Sequence, residues 1–343
     1  MTRKNARGEA VRRFILDNVE EHPSDVTRVT AERFGLTRQA VSRHLRTLVS
    51  QDLLTHEGNT RNRQYKLGIL EKWTQFYALT PDLAEDRPWR ERLAPLLAGL
   101  SQNALAIWQY GFTEMFNNAI DHSEGAKIGV SLEESATATE ILVWDDGVGI
   151  FKKIQTALGL LDERHSLLEL AKGKFTTDPD HHSGEGVFFT SRMFDRFWIL
   201  SGDLYFSHTA DSPYDWLLDD VRGTPGTAVF MKLNKSTRRT TTKVFDQYTS
   251  GDDYGFTKTV VPVSLAAYGD DNLISRSQAK RMLARVDRFS TVMLDFSGVD
   301  AIGQAFADEV FRVFPNDHPE VDLVEVHAKP AVKRMISRAR AAG

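Results

Sequence analysis

Glu114 and Asn118 stand four residues apart in the stretch Glu114-Met-Phe-Asn-Asn118-Ala-Ile-Asp121-His122-Ser123. On a helix that spacing puts both on one face. A carboxylate and a carboxamide side by side can hold a divalent cation and orient a water. Three later stretches carry glycines: Asp145-Asp-Gly147-Val-Gly149-Ile150, Gly184-Glu-Gly186-Val-Phe and Gly226-Thr227-Ala-Val-Phe. Glycine lets backbone approach a bound nucleotide, and N–H groups at a helix start can take phosphate. Asp145, at a strand end, can accept from an N–H donor. Other chemistries have less support. Gly173-Lys174 lacks the upstream glycine and the following Ser or Thr of a phosphate loop. Phe189 occupies the third glycine position of a dinucleotide fingerprint. His181-His182 lacks spaced metal partners, and no Gly-x-Ser-x-Gly elbow is present. There is no cysteine, which excludes disulfides and thiolate zinc sites.

These residues need a scaffold. A helix is expected around Glu114, then strands at 127–133 and 140–144, the second ending at Asp145. A polar, helical insertion follows over 151–183, then a helix from about Gly186 and strands at 197–201, 205–209 and 227–233. Mixed strands and helices in this order read as an α/β sandwich spanning residues 90–235.

The order and spacing of the four stretches resemble the ATP-binding domain of the GHKL superfamily, which includes gyrase-type, chaperone-type and histidine-kinase-type ATPases. The resemblance implies ATP and Mg2+ as cofactors, with Asn118 as the magnesium ligand and Glu114 as the catalytic group that orients or deprotonates water. It also implies that Asp145 accepts from the adenine amino group, that Gly147 and Gly149 admit the base, that Gly184 and Gly186 offer amides to phosphate, and that Thr227 supports the adenine pocket. One departure stands out. The family's lid often carries Gly-x-Gly-Leu-Gly, and here Phe188 replaces the last glycine. The lid is also long and includes Lys172, Lys174, His181 and His182.

Residues 1–70 read as three helices and a hairpin. Val11, Phe14, Ile15 and Val19 share a helical face, His22-Pro23 ends that helix, and Gly35 turns the second helix into a third capped by Thr37. Short strands are expected at 53–55 and 63–67. This arrangement resembles the winged helix-turn-helix domains of bacterial transcription regulators, through Ala31-Glu-Arg-Phe34-Gly35-Leu36-Thr37-Arg38-Gln39-Ala40-Val41-Ser42-Arg43-His44-Leu45. The partner it implies is double-stranded DNA. Arg38, Gln39, Ser42, Arg43 and Arg46 would project from the third helix, joined by Thr37, with Arg61 and Arg63 on the wing. Arg and Gln suit base edges, and Ser and Thr suit phosphates. Residues 1–72 carry 14 Lys/Arg against 9 Asp/Glu, net +5, whereas the remainder is net −9. A basic amino-terminal block on an acidic body agrees with a polyanion-binding module.

Residues 71–110 are expected to form a helical connector, with an apolar cluster at Trp73, Phe76, Tyr77 and Leu79. Pro88 and Trp89 would open a second helix carrying Leu93, Leu96, Leu97, Leu100 and Leu105. Residues 254–343 alternate strand and helix, which implies a small, largely parallel α/β unit. It resembles STAS-like domains, the class of anti-anti-sigma factors, through Val292-Met-Leu-Asp295-Phe296-Ser-Gly298-Val299-Asp300-Ala-Ile302-Gly303-Gln-Ala-Phe306.

The chain thus reads as a multidomain α/β protein: a cytoplasmic, ATP-gated DNA-binding regulator, expected to be a homodimer with a possible protein partner on its STAS-like domain. No apolar run reaches membrane-spanning length, and the first residues lack the apolar core of a secretory signal. The alternative is an anti-sigma-type serine/threonine kinase acting on a separate partner. Its usual acceptor position at the STAS helix start, Ile302-Gly303-Gln304-Ala305, has no hydroxyl here. A histidine kinase is disfavoured because residues 57–113 contain no histidine.

Overall fold

The computed structural model describes residues 3–59, 62–84, 86–174, 184–209, 216–250, 255–267 and 272–341. Arg61, His181, His182 and Tyr254 lie outside them. The chain divides into two units: residues 1–75 with 130–142 and 232–236, and residues 76–129, 143–231 and 237–343.

In the first unit, helices α1 (Arg3–Asn18), α2 (Val26–Phe34) and α3 (Arg38–Ser50) form a small bundle. Val11, Ile15, Val19, Val26, Val41, Leu45 and Leu48 are its buried core, recurring at helical spacing. Gly35 takes a left-handed φ of 61° and closes α2. Thr37 caps α3 by accepting from Ala40 N–H at 3.2 Å. Strands β1 (Leu54–Glu57) and β2 (Gln64–Leu67) pair antiparallel, with Leu54 opposite Leu67 and Glu57 opposite Gln64.

Strand β3 (Glu71–Ala78) corrects the expected helical connector. Trp73, Gln75 and Tyr77 are half-buried and alternate with exposed Lys72, Thr74 and Phe76. That period of two, with aromatic and β-branched residues, is a strand pattern rather than a helical one. The second expected helix is also broken. A helical segment covers 86–96, and a separate 21-residue helix runs Gln102–His122, so Leu105 belongs to the latter.

The remaining strands of the central sheet are β4 (Lys127–Glu134), β5 (Ala138–Asp145), β6 (Arg196–Thr209) and β7 (Trp216–Asn234), in the order β3-β4-β5-β7-β6. The two strands expected at 197–201 and 205–209 are one, passing through Gly202 at φ 59°. Trp108, Phe112 and Phe116 of the long helix are fully buried, each contributing about 2–3 kcal/mol of apolar burial. Beside it runs the helix Gly186–Met193, so close that a Cβ on Gly111 would touch the Phe194 ring at 2.4 Å. Helix Thr241–Tyr248, which follows β7, has no counterpart in the sequence reading.

Near the carboxyl end, strands Lys258–Pro262, Thr291–Asp295 and Asp322–Val326 form a parallel sheet in that order, as the strand–helix alternation implied. Ser275 and Gln278 form a reciprocal capping box at the helix Arg276–Leu283. The last helix is Pro330–Ala341. Among the described residues no helix is long and apolar enough to cross a membrane.

Candidate functional site

The four glycine- and carboxylate-bearing stretches meet. Glu114 and Asn118 are half-buried on the Gln102–His122 helix, at the edge of its core face. The end of that helix is tied to the Asp145–Gly149 turn, because Val148 N–H donates to Ser123 O at 2.8 Å. Asp145 closes β5 and is buried. Its Oδ1 accepts from Gly147 N–H at 2.9 Å and Thr227 N–H at 3.3 Å. Thr227 Oγ1 in turn accepts from Ile150 N–H at 2.9 Å. Gly226 sits against this turn with φ 74°, and a Cβ there would lie 2.1 Å from Asp145 O, so only glycine fits. Gly149, at the start of the helix Ile150–Leu158, would meet Ser201 Oγ at 2.6 Å if it carried a Cβ. Gly186 opens its helix directly beside Glu114: a Cβ on it would lie 2.0 Å from Glu114 Oε2. Gly184 precedes it at φ 72°.

The electrostatics follow from burial. Burial pushes the Asp145 carboxyl up, and the two backbone N–H bonds only partly oppose it. Oδ2 of Asp145 makes no hydrogen bond among the described residues. A buried carboxylate with one oxygen occupied and no cation beside it suits a neutral N–H donor. Tyr110, one turn before Glu114, is pushed up by burial and then by Glu114 and Glu185, so three acidic or phenolic groups crowd this side of the site. Burial also raises Glu185, with Lys174 opposing. Among the described residues no group of three or more His, Cys, Asp or Glu could hold a metal ion. A divalent ion here would need a few protein oxygens plus oxygens of a ligand, which is how magnesium is commonly bound beside phosphates. Two supporting residues went unnoticed in the sequence. Ser201 Oγ donates to Gly226 O at 2.8 Å, and Asp146 accepts from the amides of Ala126 and Lys127, which lowers its pKa. Asp146 sits inside a recognised turn, so its place was visible although its role was not.

The first unit presents a second candidate surface. Arg38, Gln39, Arg43 and Arg46 are exposed on α3, opposite buried Val41, Leu45 and Leu48. Thr37 is exposed but its hydroxyl caps the helix, and Ser42 Oγ donates to Arg38 O at 2.8 Å. Arg63 is half-buried, with Nε buried and unbonded among the described residues, so it is less free than a wing tip would require. His44 faces inward near Arg12 and Gly8, and burial lowers its pKa. Just past α1, Glu20 meets Lys232 of β7, whose Nζ lies 2.6 Å from Glu20 Oε1 and 2.9 Å from Glu140 Oε1 on β5.

Part of the carboxyl-terminal unit, including strands Thr291–Asp295 and Asp322–Val326, has a family counterpart. Residues 278–332 match the family described as "STAS-like domain of unknown function (DUF4325)". No curated protein matches the chain. The STAS-like domain, with the strand before it, meets the Gly186 helix. Phe256 packs on Phe188 and Phe189, with ring centroids 4.6 and 4.9 Å apart, and on Phe289 at 5.1 Å. Phe188, which departs from the glycine of the resembled lid, is thus the residue that makes this contact. Lys172 is buried, and burial lowers its pKa against the pull of Glu169. Its Nζ donates to Glu169 Oε1 at 2.8 Å, Ala284 O at 2.8 Å and Arg281 O at 3.3 Å, while Arg285 Nε bonds Glu169 Oε2 at 3.0 Å. Lys174 Nζ lies 4.7 Å from the Phe289 ring centroid.

Proposed function

We propose that the protein is an ATP-binding, DNA-binding regulator in which a GHKL-type central domain takes ATP with magnesium and a winged helix-turn-helix takes duplex DNA. The observation that carries the nucleotide reading is a run of contacts linking the four stretches: Gly186 lies against Glu114, the end of the Glu114 helix against the Asp145–Gly149 turn, and buried Asp145 against Gly226 and Thr227. Asp145 Oδ2 would accept from the adenine amino group, held in place through Thr227 and the Gly147 amide. The glycines would let the base and phosphates approach. Asn118 would ligate magnesium, which when bound neutralises phosphate charge. Glu114 would take the proton from an attacking water, so slow hydrolysis is part of the reading.

The DNA reading rests on the exposed basic face of α3 and on the charge asymmetry of the chain. Gating of one activity by the other is supported by the Glu20–Lys232–Glu140 triad. Glu140 lies on the same strand as Asp145, and Lys232 on the same strand as Thr227. A homodimer would let two recognition helices read adjacent half-sites. The STAS-like domain is a candidate site for a protein partner.

Calorimetric titration with ATP, with and without magnesium, tests the nucleotide half. Asp145→Ala should abolish binding, and Asn118→Ala should abolish its dependence on magnesium. Unchanged affinity in both variants rejects it. Titration of duplex DNA against the full chain, Arg38→Ala and Arg43→Ala tests the other half: each substitution at a base contact should cost about 1–3 kcal/mol. Failure of the wild type to bind any duplex at low salt rejects it.

A further inference from the structure

Outside the amino-terminal block the chain is net acidic, yet residues 329–341 hold five basic residues and no acidic one: Lys329, Lys333, Arg334, Arg338 and Arg340. They belong to or immediately precede the helix Pro330–Ala341, which buries Val332, Ile336 and Ala339. Two of the five are spoken for. Lys329 pairs with Asp300, and Arg340 holds Glu325 through both oxygens at 3.2 and 2.8 Å. Lys333, Arg334 and Arg338 are exposed and form no ion pair among the described residues, although Lys333 stands near enough to Glu325 to help lower its pKa. Helix stability explains only part of this. A cation such as Arg338 in the last turn complements the helix dipole, but Arg334, past the first turn, gains nothing from it. Arg334 and Arg338 have no anion beside them among the described residues, and an external anion would supply one.

We infer that this helix face is a second nucleic-acid contact, which takes phosphates of duplex DNA. The spacing suits the ligand. Arg334 and Arg338, about one turn apart, share a stripe and are separated by about 6 Å along the helix axis, while Lys333 flanks that stripe about 100° around from Arg334. Successive phosphates of one strand advance about 3.4 Å along the duplex axis, so the cations span about two phosphate steps. Three unpaired cations on an otherwise acidic body give local attraction with no base readout, so the contact adds affinity irrespective of sequence. The inference rests on the proposed DNA binding of residues 1–70 and extends it to the opposite end of the chain.

The test uses the full-length protein. Affinity for a labelled random-sequence duplex of about 40 base pairs is measured across a salt series for the wild type, the triple variant Lys333→Gln/Arg334→Gln/Arg338→Gln, and Arg38→Ala/Arg43→Ala. Each phosphate contact contributes about 0.9 to the slope of log affinity against log salt, so losing three should flatten the slope by about 2.7. Near 0.1 M salt that corresponds to a loss on the order of 10²- to 10³-fold. The charge-keeping variant Arg334→Lys/Arg338→Lys should retain the wild-type slope. All three side chains are exposed, so melting temperatures should match and exclude misfolding as the cause. A triple variant whose slope stays within about one unit of wild type overturns the inference, while weakening by Arg38→Ala/Arg43→Ala in the same series leaves the DNA-binding reading standing. A wild type that binds no duplex overturns both. A triple variant that keeps its DNA slope but loses binding to phosphatidylserine vesicles assigns the face to membranes and overturns the DNA assignment.

Discussion

Gly186→Ala isolates the contact between the two motifs that flank the reacting end of the proposed nucleotide. A Cβ at this position would lie 2.0 Å from Glu114 Oε2 and 3.0 Å from its Cδ, whereas real Cβ contacts essentially never fall below 3.0 Å. The carboxylate must therefore retreat by about 1 Å, and a misplacement of that size in a reacting group costs about 10²-fold in rate. Folding should hardly notice. The atom in the way is the far end of a flexible side chain, and alanine in a helix is favoured over glycine by about 0.5–1 kcal/mol. Gly226→Ala is the contrasting control. There the obstacle is the backbone oxygen of Asp145 at 2.1 Å and φ is 74°, so that variant should lose stability by more than about 1 kcal/mol. Thermal melts without nucleotide, together with magnesium-dependent phosphate release from ATP, report both quantities. Gly186→Ala should melt with the wild type and hydrolyse about 10²-fold more slowly. A variant that hydrolyses at the wild-type rate refutes Glu114 as the group that handles water. A wild type without magnesium-dependent release removes the hydrolysis reading itself.

Asp145→Asn should melt at or above the wild type near neutral pH without nucleotide, while losing the rise in melting temperature that ATP gives. The sign follows from its raised carboxyl pKa. The contribution of Asp145 to stability is intact below its unfolded pKa and lost as pH rises through the folded one, whereas Asn keeps an oxygen for the Gly147 and Thr227 amides. The advantage of the variant should vanish on acidification, and a variant less stable than wild type at neutral pH contradicts this account. Lys172→Met should destabilise by about 3 kcal/mol, the low end for breaking a buried ion pair, because Glu169 retains Arg285. Urea unfolding followed by circular dichroism measures it, and a loss under about 1 kcal/mol would show that the methionine packs as well as the ammonium bonds.

What was legible in the sequence was whatever is encoded locally. Gly35 and Thr37 mark the turn between α2 and α3 because each acts on backbone within three or four residues. The parallel strands near the carboxyl end are short apolar runs between helical ones, and they pair as such. The glycine turns were recognisable because close backbone approach leaves few alternatives to glycine. Other features depend on partners distant in sequence. Trp73, Phe76 and Tyr77 read equally as an apolar helical cluster until β4 gives residues 71–78 a neighbour to pair with. Lys172 reads as a solvated loop lysine, and nothing near it in sequence tells of Ala284 or Arg281. Phe188 reads as a damaged glycine motif until Phe256 appears against it.

That last contact bears on how nucleotide would be felt by the rest of the chain. The proposed base side of the site, Asp145 and Thr227, stands on β5 and β7, and these strands also carry Glu140 and Lys232, which hold Glu20. The proposed phosphate side, Gly184 and Gly186, leads into the helix whose Phe188 and Phe189 hold Phe256. The two ends of one ligand would thus press on different attachments. On that reading a nucleoside would engage only the first, and a nucleoside triphosphate would engage both. Coupling free energy is reciprocal, so if the two sites are coupled, whatever binds the amino-terminal helices would alter affinity for the base by the same factor that the base alters theirs. The STAS-like domain would instead be linked to the phosphates, through contacts that a nucleoside does not touch. On the proposed reading, Phe188 in place of the resembled lid's glycine would be no loss of a nucleotide motif, because the same position packs on Phe256 and would join the phosphate side to the carboxyl-terminal domain.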